Sequence, residues 1–90
     1  MSDEIKKPAI AVALEYETGT RDAPKVVATG RGLVAERIME IARESGVTIE
    51  ANPMLAEALS GVPLDEAIPH ELYAAVAEVI GFVLRTQRRR

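Results

Sequence analysis

Gly30-Arg31-Gly32, with Ala35 three residues on, is the stretch of this sequence that most resembles a chemical site. It follows the β-branched run Lys25-Val26-Val27-Ala28-Thr29 and opens an apolar-periodic segment. That is the relaxed G-x-G-x-x-G/A pattern of a dinucleotide-binding turn, and Glu50 stands where a ribose-binding carboxylate would be sought. A dinucleotide site, however, needs two mononucleotide-binding halves and a cleft between them, and one βαβ unit supplies only the first half. No Gly-Lys-Ser/Thr follows for a phosphate cradle. The simpler reading is a strand-to-helix turn whose glycines supply positive φ and close packing.

The remaining reactive side chains are scattered. His70 is the single histidine and the chain has no cysteine, so a zinc site lacks its usual ligands. Asp65 and Glu66 are adjacent carboxylates in a proline-bounded loop, where a solvated turn is the expected role. Ser45 and Ser60 fall at expected helix ends with no histidine in step for a triad. The residues therefore argue for no enzyme and no cofactor.

Which elements would position these groups? "AIAVALEY" (9–16) alternates, with Ile10, Val12, Leu14 and Tyr16 on one face and three alanines with Glu15 on the other. It reads as a strand, joined by the turn-rich residues 17–24 to a second, antiparallel strand at 25–29. A helix follows over 33–45, its inner face expected at Val34, Ile38, Ile41 and Ala42, with Gly46 as its left-handed C-terminal cap. Residues 47–50 read as a short third strand, parallel to the second by the right-handed crossover rule. Asn52-Pro53 starts a short helix running towards Gly61, as cap and first helical residue. "VPLDEAIP" is a loop, and a final helix spans about 69–86 with Leu72, Val76, Val79, Ile80 and Val83 on one face. The expected fold is α/β: one small domain with a three-stranded mixed sheet, elements in the order β-β-α-β-α-α, flanked by helices. Residues 1–8 are expected to be a flexible N-terminal segment, 9–86 the domain and 87–90 a basic tail.

Ninety residues make one domain with a small core. The net charge is −3, but Arg85, Arg88, Arg89 and Arg90 crowd the end. The first 84 residues hold 7 basic and 14 acidic residues, a charge of −7 that disfavours nucleic acid and anionic lipid. With one Phe, two Tyr and no Trp there is no platform for stacking bases. No apolar run approaches the roughly 20 residues that span a bilayer. Ala23-Pro24 before the second strand, and Ala77 with Ile80 on the last helix, read either as core packing or as an apolar docking groove.

"AVALEY", "APKVVATGRG", "VAERIMEIARESGV" and "IPHELYAAVAEVIGFV", in that order over about 10–84, resemble the cytoplasmic domain of the FlhB/YscU family. Members of that family are switch proteins of flagellar and injectisome type III export. The resemblance implies a small α/β domain and a non-enzymatic binding role at the cytoplasmic face of the export gate. Its partners would be rod- or hook-type substrates or gate proteins, with no nucleic acid and no membrane insertion of this domain. It also implies a docking patch at Ala23, Pro24, Ala77 and Ile80. Two departures stand out. The family's membrane domain does not precede the segment, which suggests a soluble counterpart of the cleaved C-terminal fragment. The Asn-Pro-Thr-His positions, where the family's asparagine cyclises and cuts the chain, hold Lys6, Lys7, Pro8 and Ala9, so no self-cleavage is expected. A small nucleotide- or phosphate-binding protein using the Gly30-Arg31-Gly32 turn, and a relic scaffold that has lost its partner, are the alternative readings.

Overall fold

The computed structural model describes residues 9–17, 19 and 22–88. The expected N-terminal segment and the last two arginines lie outside the described residues. The elements are β1 (Ile10–Glu15), β2 (Lys25–Arg31), α1 (Leu33–Glu44), α2 (Pro53–Leu59), a single 3-10 turn (His70–Leu72) and α3 (Tyr73–Arg88). The final helix thus continues through the first residues of the expected basic tail, and its first predicted turn is 3-10.

β1 and β2 pair antiparallel, with Ala11 opposite Gly30, Val12 opposite Thr29 and Ala13 opposite Ala28. A bulge then leaves Val27 without an opposite number, since Leu14 pairs with Val26, and Val27 is correspondingly exposed. The register sorts the faces by size. Ala11, Ala13, Ala28 and Gly30 make one face of small residues, and Val12, Leu14 and Val26 make the other.

α1 packs on the small face. A Cβ on Gly30 would run into Val34 of α1, so the helix axis lies close to the strands, and the residue it buries completely is Ala35. This corrects the expected inner face. Val34 is 56% and Ile41 45% exposed, while Ala35, Ile38, Met39 and Ala42 turn inward. A sheet face built of alanine and glycine brings the helix in so closely that only alanine fits at the centre, and larger side chains go to the flanks. Gly46 ends α1 as expected. Its φ is 77°, and the bonds from Gly46 N–H to the Arg43 carbonyl and Val47 N–H to the Ala42 carbonyl form a Schellman motif.

The large face packs on α2, the loop after it and α3. Val26, Leu59, Val62, Ile68 and Val76 form the buried cluster, with Val12, Leu14, Leu55, Leu72 and Ile80 against it. The Asn52 side-chain oxygen accepts a hydrogen bond from Leu55 N–H at 3.1 Å, capping α2 as the sequence predicts.

The sheet has two strands, not the expected three. The place beside β2 where a parallel third strand would sit is taken by the loop after α2. Val26 N–H donates to the Glu66 carbonyl, Asp65 N–H to the Val26 carbonyl and Ile68 N–H to the Pro24 carbonyl. Residues 47–50 carry no strand assignment and are exposed throughout, Val47 at 58% and Ile49 at 41%. The proline-bounded loop is therefore structural. It bonds the edge of β2 at its start and contributes Val62 and Ile68 to the core.

Candidate functional site

Ala23, Pro24, Ala77 and Ile80 come together. All four line one open groove of about 430 Å³ between the β1–β2 connection and α3. On the helix side the wall is Tyr73, Val76, Ala77, Ile80, Gly81 and Leu84. These positions recur at i, i+3, i+4, i+7, i+8 and i+11, a single stripe about 16 Å long at 1.5 Å per residue. The other wall is Tyr16, Glu17, Gly19, Asp22, Ala23 and Pro24, with Ile68 at the floor.

Backbone bonding fixes the wall that carries Pro24. The Pro24 carbonyl accepts from Ile68 N–H at 3.0 Å, which ties the start of β2 to the segment leading into α3. Pro24 has no N–H to donate, so it suits the first position before a ladder. Val76 is 1% exposed and Val83 8%, and they hold α3 down on one side. Ala77 on the neighbouring side stays exposed. Small side chains at Ala23, Ala77 and Gly81 keep the groove shallow and open along its length. Its interior can receive one or two apolar side chains of a peptide. Among the described residues no three His, Cys, Asp or Glu side chains gather where they could hold a metal ion.

None of the other candidate site residues singled out from the sequence lines the groove. Gly30 packs under Val34, and Gly32, at φ 60°, is the residue before α1. Arg31, between them, turns to α2, where its Nη2 meets Glu57 Oε2 at 3.3 Å and Ser60 Oγ at 3.5 Å. Glu50 is exposed. Asp65 sits in a turn with φ 67°, its N–H bonded to Val26. His70 stacks on Tyr73 with ring centroids 4.9 Å apart. Ser45 and Ser60 are C-terminal caps of α1 and α2.

Several groove residues escaped the sequence reading: Tyr16, Glu17, Asp22, Ile68, Tyr73, Gly81 and Leu84. On α3 a signal existed, because Tyr73, Ala77, Ile80, Gly81 and Leu84 continue one helical stripe beyond the buried one. On the loop wall no periodicity could have shown it.

The sequence model of the FlhB HrpN YscU SpaS family matches residues 7–83. The protein YlqH of Bacillus subtilis (strain 168) is 40% identical over 75 residues, which cover 83% of this chain and 81% of YlqH. The flagellar biosynthetic protein FlhB of Escherichia coli (strain K12) is 47% identical over 81 residues, 89% of this chain but 21% of FlhB. This chain therefore spans about a fifth of the FlhB relatives it matches. Among solved structures, the cytoplasmic domain of FlhB from Shewanella putrefaciens superposes with a TM-score of 0.78 at 35% identity, covering 92% of this chain and 71% of that one. The PscU C-terminal domain gives 0.78 at 30% identity, covering 83% and 96%. No helix among the described residues is long and apolar enough to cross a membrane. By sequence and by fold, this chain belongs to the FlhB HrpN YscU SpaS family and carries the small α/β fold of that family's cytoplasmic C-terminal domain.

Proposed function

We propose that this chain is a non-enzymatic docking module of a flagellar-type or related type III export apparatus. Its groove takes a short apolar segment of an export substrate, of the rod or hook type, or of a gate protein. The observation that supports this reading is the convergence of Ala23-Pro24 with Ala77 and Ile80, 53 and 56 positions further along from Pro24, on one open groove. Each contact offered is small, so affinity is expected around micromolar or weaker, as for interfaces without deep anchors. The chain acts as a counterpart of the family's C-terminal fragment, and it does so without cutting itself. Self-cleavage needs an asparagine whose side-chain nitrogen closes on its own carbonyl, and Lys6 occupies that position.

The test is binding to a purified rod or hook subunit with Pro24→Ala/Ile80→Asp. The reading predicts that binding is lost while the circular dichroism spectrum is kept. Ile80 also packs against the core, so Ala77→Gln serves as a second variant. Ala77 is exposed, and a glutamine there fills the groove with a neutral chain while leaving the core alone. Full-strength binding by a folded Ala77→Gln variant would contradict the reading.

A further inference from the structure

We infer that the open stretch of the β2 edge is a self-association surface, and that its occupant is a second copy of this chain related by a two-fold axis. The loop after α2 bonds that edge at Pro24 and Val26. Beyond Val26 the register leaves backbone groups facing outward. Gly32 N–H donates to the Ala9 carbonyl, so Gly30 and Ala28 are the residues of β2 that exchange bonds with Ala11 and Ala13. Thr29 and Arg31 alternate with them and point N–H and C=O away from β1. None of these four groups bonds to another described residue. Free groups of this kind are a template for another strand.

Apolar side chains border the same edge and stand in solvent. Val34 meets Gly30 of β2 yet is 56% exposed, so it lies on the flank of α1 away from β1. Ile41 follows two turns on along that stripe. Seven residues of helix span about 10.5 Å and three of strand about 10 Å, so α1, turning back over β2, brings Ile41 to the level of Val27. Both are exposed, as are Leu33 at the start of α1 and Leu64 beside the bonded start of the edge. These five side chains offer about 500 Å² per copy, the size of apolar patch that marks an interaction site. The edge is also complementary to itself. Antiparallel pairing centred on Gly30 sets Thr29 of each copy opposite Arg31 of the other as bonded pairs, with the two glycines facing where strands come closest. Leu33 of each copy, 82% exposed, then meets Val27 and Ile41 of the other. One patch thus serves both copies, as a two-fold interface requires. None of the five lines the groove, so the pair carries two open grooves. About 1,000 Å² buried in all is below the standard interface, and a dissociation constant of about 0.1 mM is the scale expected.

The experiment is sedimentation velocity of the full chain from about 10 μM to about 1 mM, with amide hydrogen exchange read at both ends of that range. The expected result is a monomer–dimer equilibrium with its midpoint at about 0.1 mM, and slower exchange of the Thr29 and Arg31 amides as the dimer fills. Leu33→Glu, a change at an exposed first-turn position, is expected to weaken the dimer at least about thirtyfold, since the two-fold axis removes two anchors at once. Met54→Glu, at a residue of α2 that is 85% exposed, is expected to leave it unchanged. A chain that stays monomeric to about 1 mM would overturn the inference. So would a dimer that survives Leu33→Glu, or one that Met54→Glu weakens equally. Thr29 and Arg31 amides that exchange in the dimer as fast as in the monomer would overturn it too, and that arm needs no substitution.

Discussion

Replacing Gly30 by alanine places one methyl group between β2 and α1. Its Cβ would lie 2.8 Å from the Val34 Cβ, closer still to Val34 Cγ1, and 3.4 Å from the Val34 carbonyl carbon. Carbon atoms pack best at about 3.5–4.0 Å. Rotating χ1 cannot solve this, because valine is stiff there in a helix and its Cβ does not move with χ1. The helix must therefore lift off the sheet, opposing the burial of Ala35 and Ala11, which are 0% and 8% exposed. Inserting a methyl into a packed contact costs about 1–3 kcal/mol. Removing a glycine from the unfolded chain returns about 0.5–1 kcal/mol, for a net loss of about 1–2 kcal/mol. Urea denaturation reads this as a lower midpoint with an unchanged slope. Val34→Ala alone should be nearly neutral, since Val34 is 56% exposed and alanine is the better helix former. The double variant Gly30→Ala/Val34→Ala removes the Cγ1 contact but keeps the 2.8 Å approach of the residue-34 Cβ, so it should recover part of the loss, a favourable coupling of about 0.5–1 kcal/mol. A native midpoint for Gly30→Ala, or a double variant no better than the sum of its parts, would refute the close-packing account of this glycine.

Other outcomes follow from the same geometry. Asp65 holds φ at 67°, a region that costs a non-glycine residue about 1–2 kcal/mol. Asp65→Gly keeps its N–H bond to Val26 and is expected to stabilise the fold by about 0.5–1 kcal/mol after the added unfolded-state entropy, read as a slightly higher urea midpoint; a lowered midpoint would count against the strained turn. Asn52→Ala removes the cap on Leu55 N–H and should cost about 1 kcal/mol, which the same denaturation series measures. Val76→Ala truncates a side chain that is 1% exposed and should cost about 2–3 kcal/mol for lost methyls and the cavity left behind. A smaller loss would mean that α3 can settle onto the remaining core.

Local devices were legible wherever one residue carries the whole signal. Asn52-Pro53 starts a helix for reasons internal to those residues, and Gly46 ends one in the same way. Alternation in 9–16 gave β1 and showed that one face is alanine, but not what that face demands of its partner. Small residues on the strands draw α1 in until Ala35 is its centre, which reverses the usual expectation that the largest apolar side chains point inward. The third strand failed for a non-local reason: the start of the β2 edge is bonded by residues 65–68, 39 to 42 positions on from Val26. Nothing in "VPLDEAIP" distinguishes a loop that covers a sheet edge from one that merely connects. At the groove, Ala23, Pro24, Ala77 and Ile80 were marked by the family resemblance, and the residues alone favoured a core role. The loop wall of the groove comes from the irregular β1–β2 connection, where side-chain direction has no period to read.

The measurement that bears most directly on the docking role is an amide-shift titration of the labelled chain with a purified rod or hook subunit. The account predicts shifts clustered at Ala23, Lys25 and the Ala77–Gly81 turn of α3, saturating in the micromolar range or above. Saturating shifts confined to the exposed side of α1 would contradict the assigned site, and a silent spectrum at millimolar subunit would contradict substrate docking.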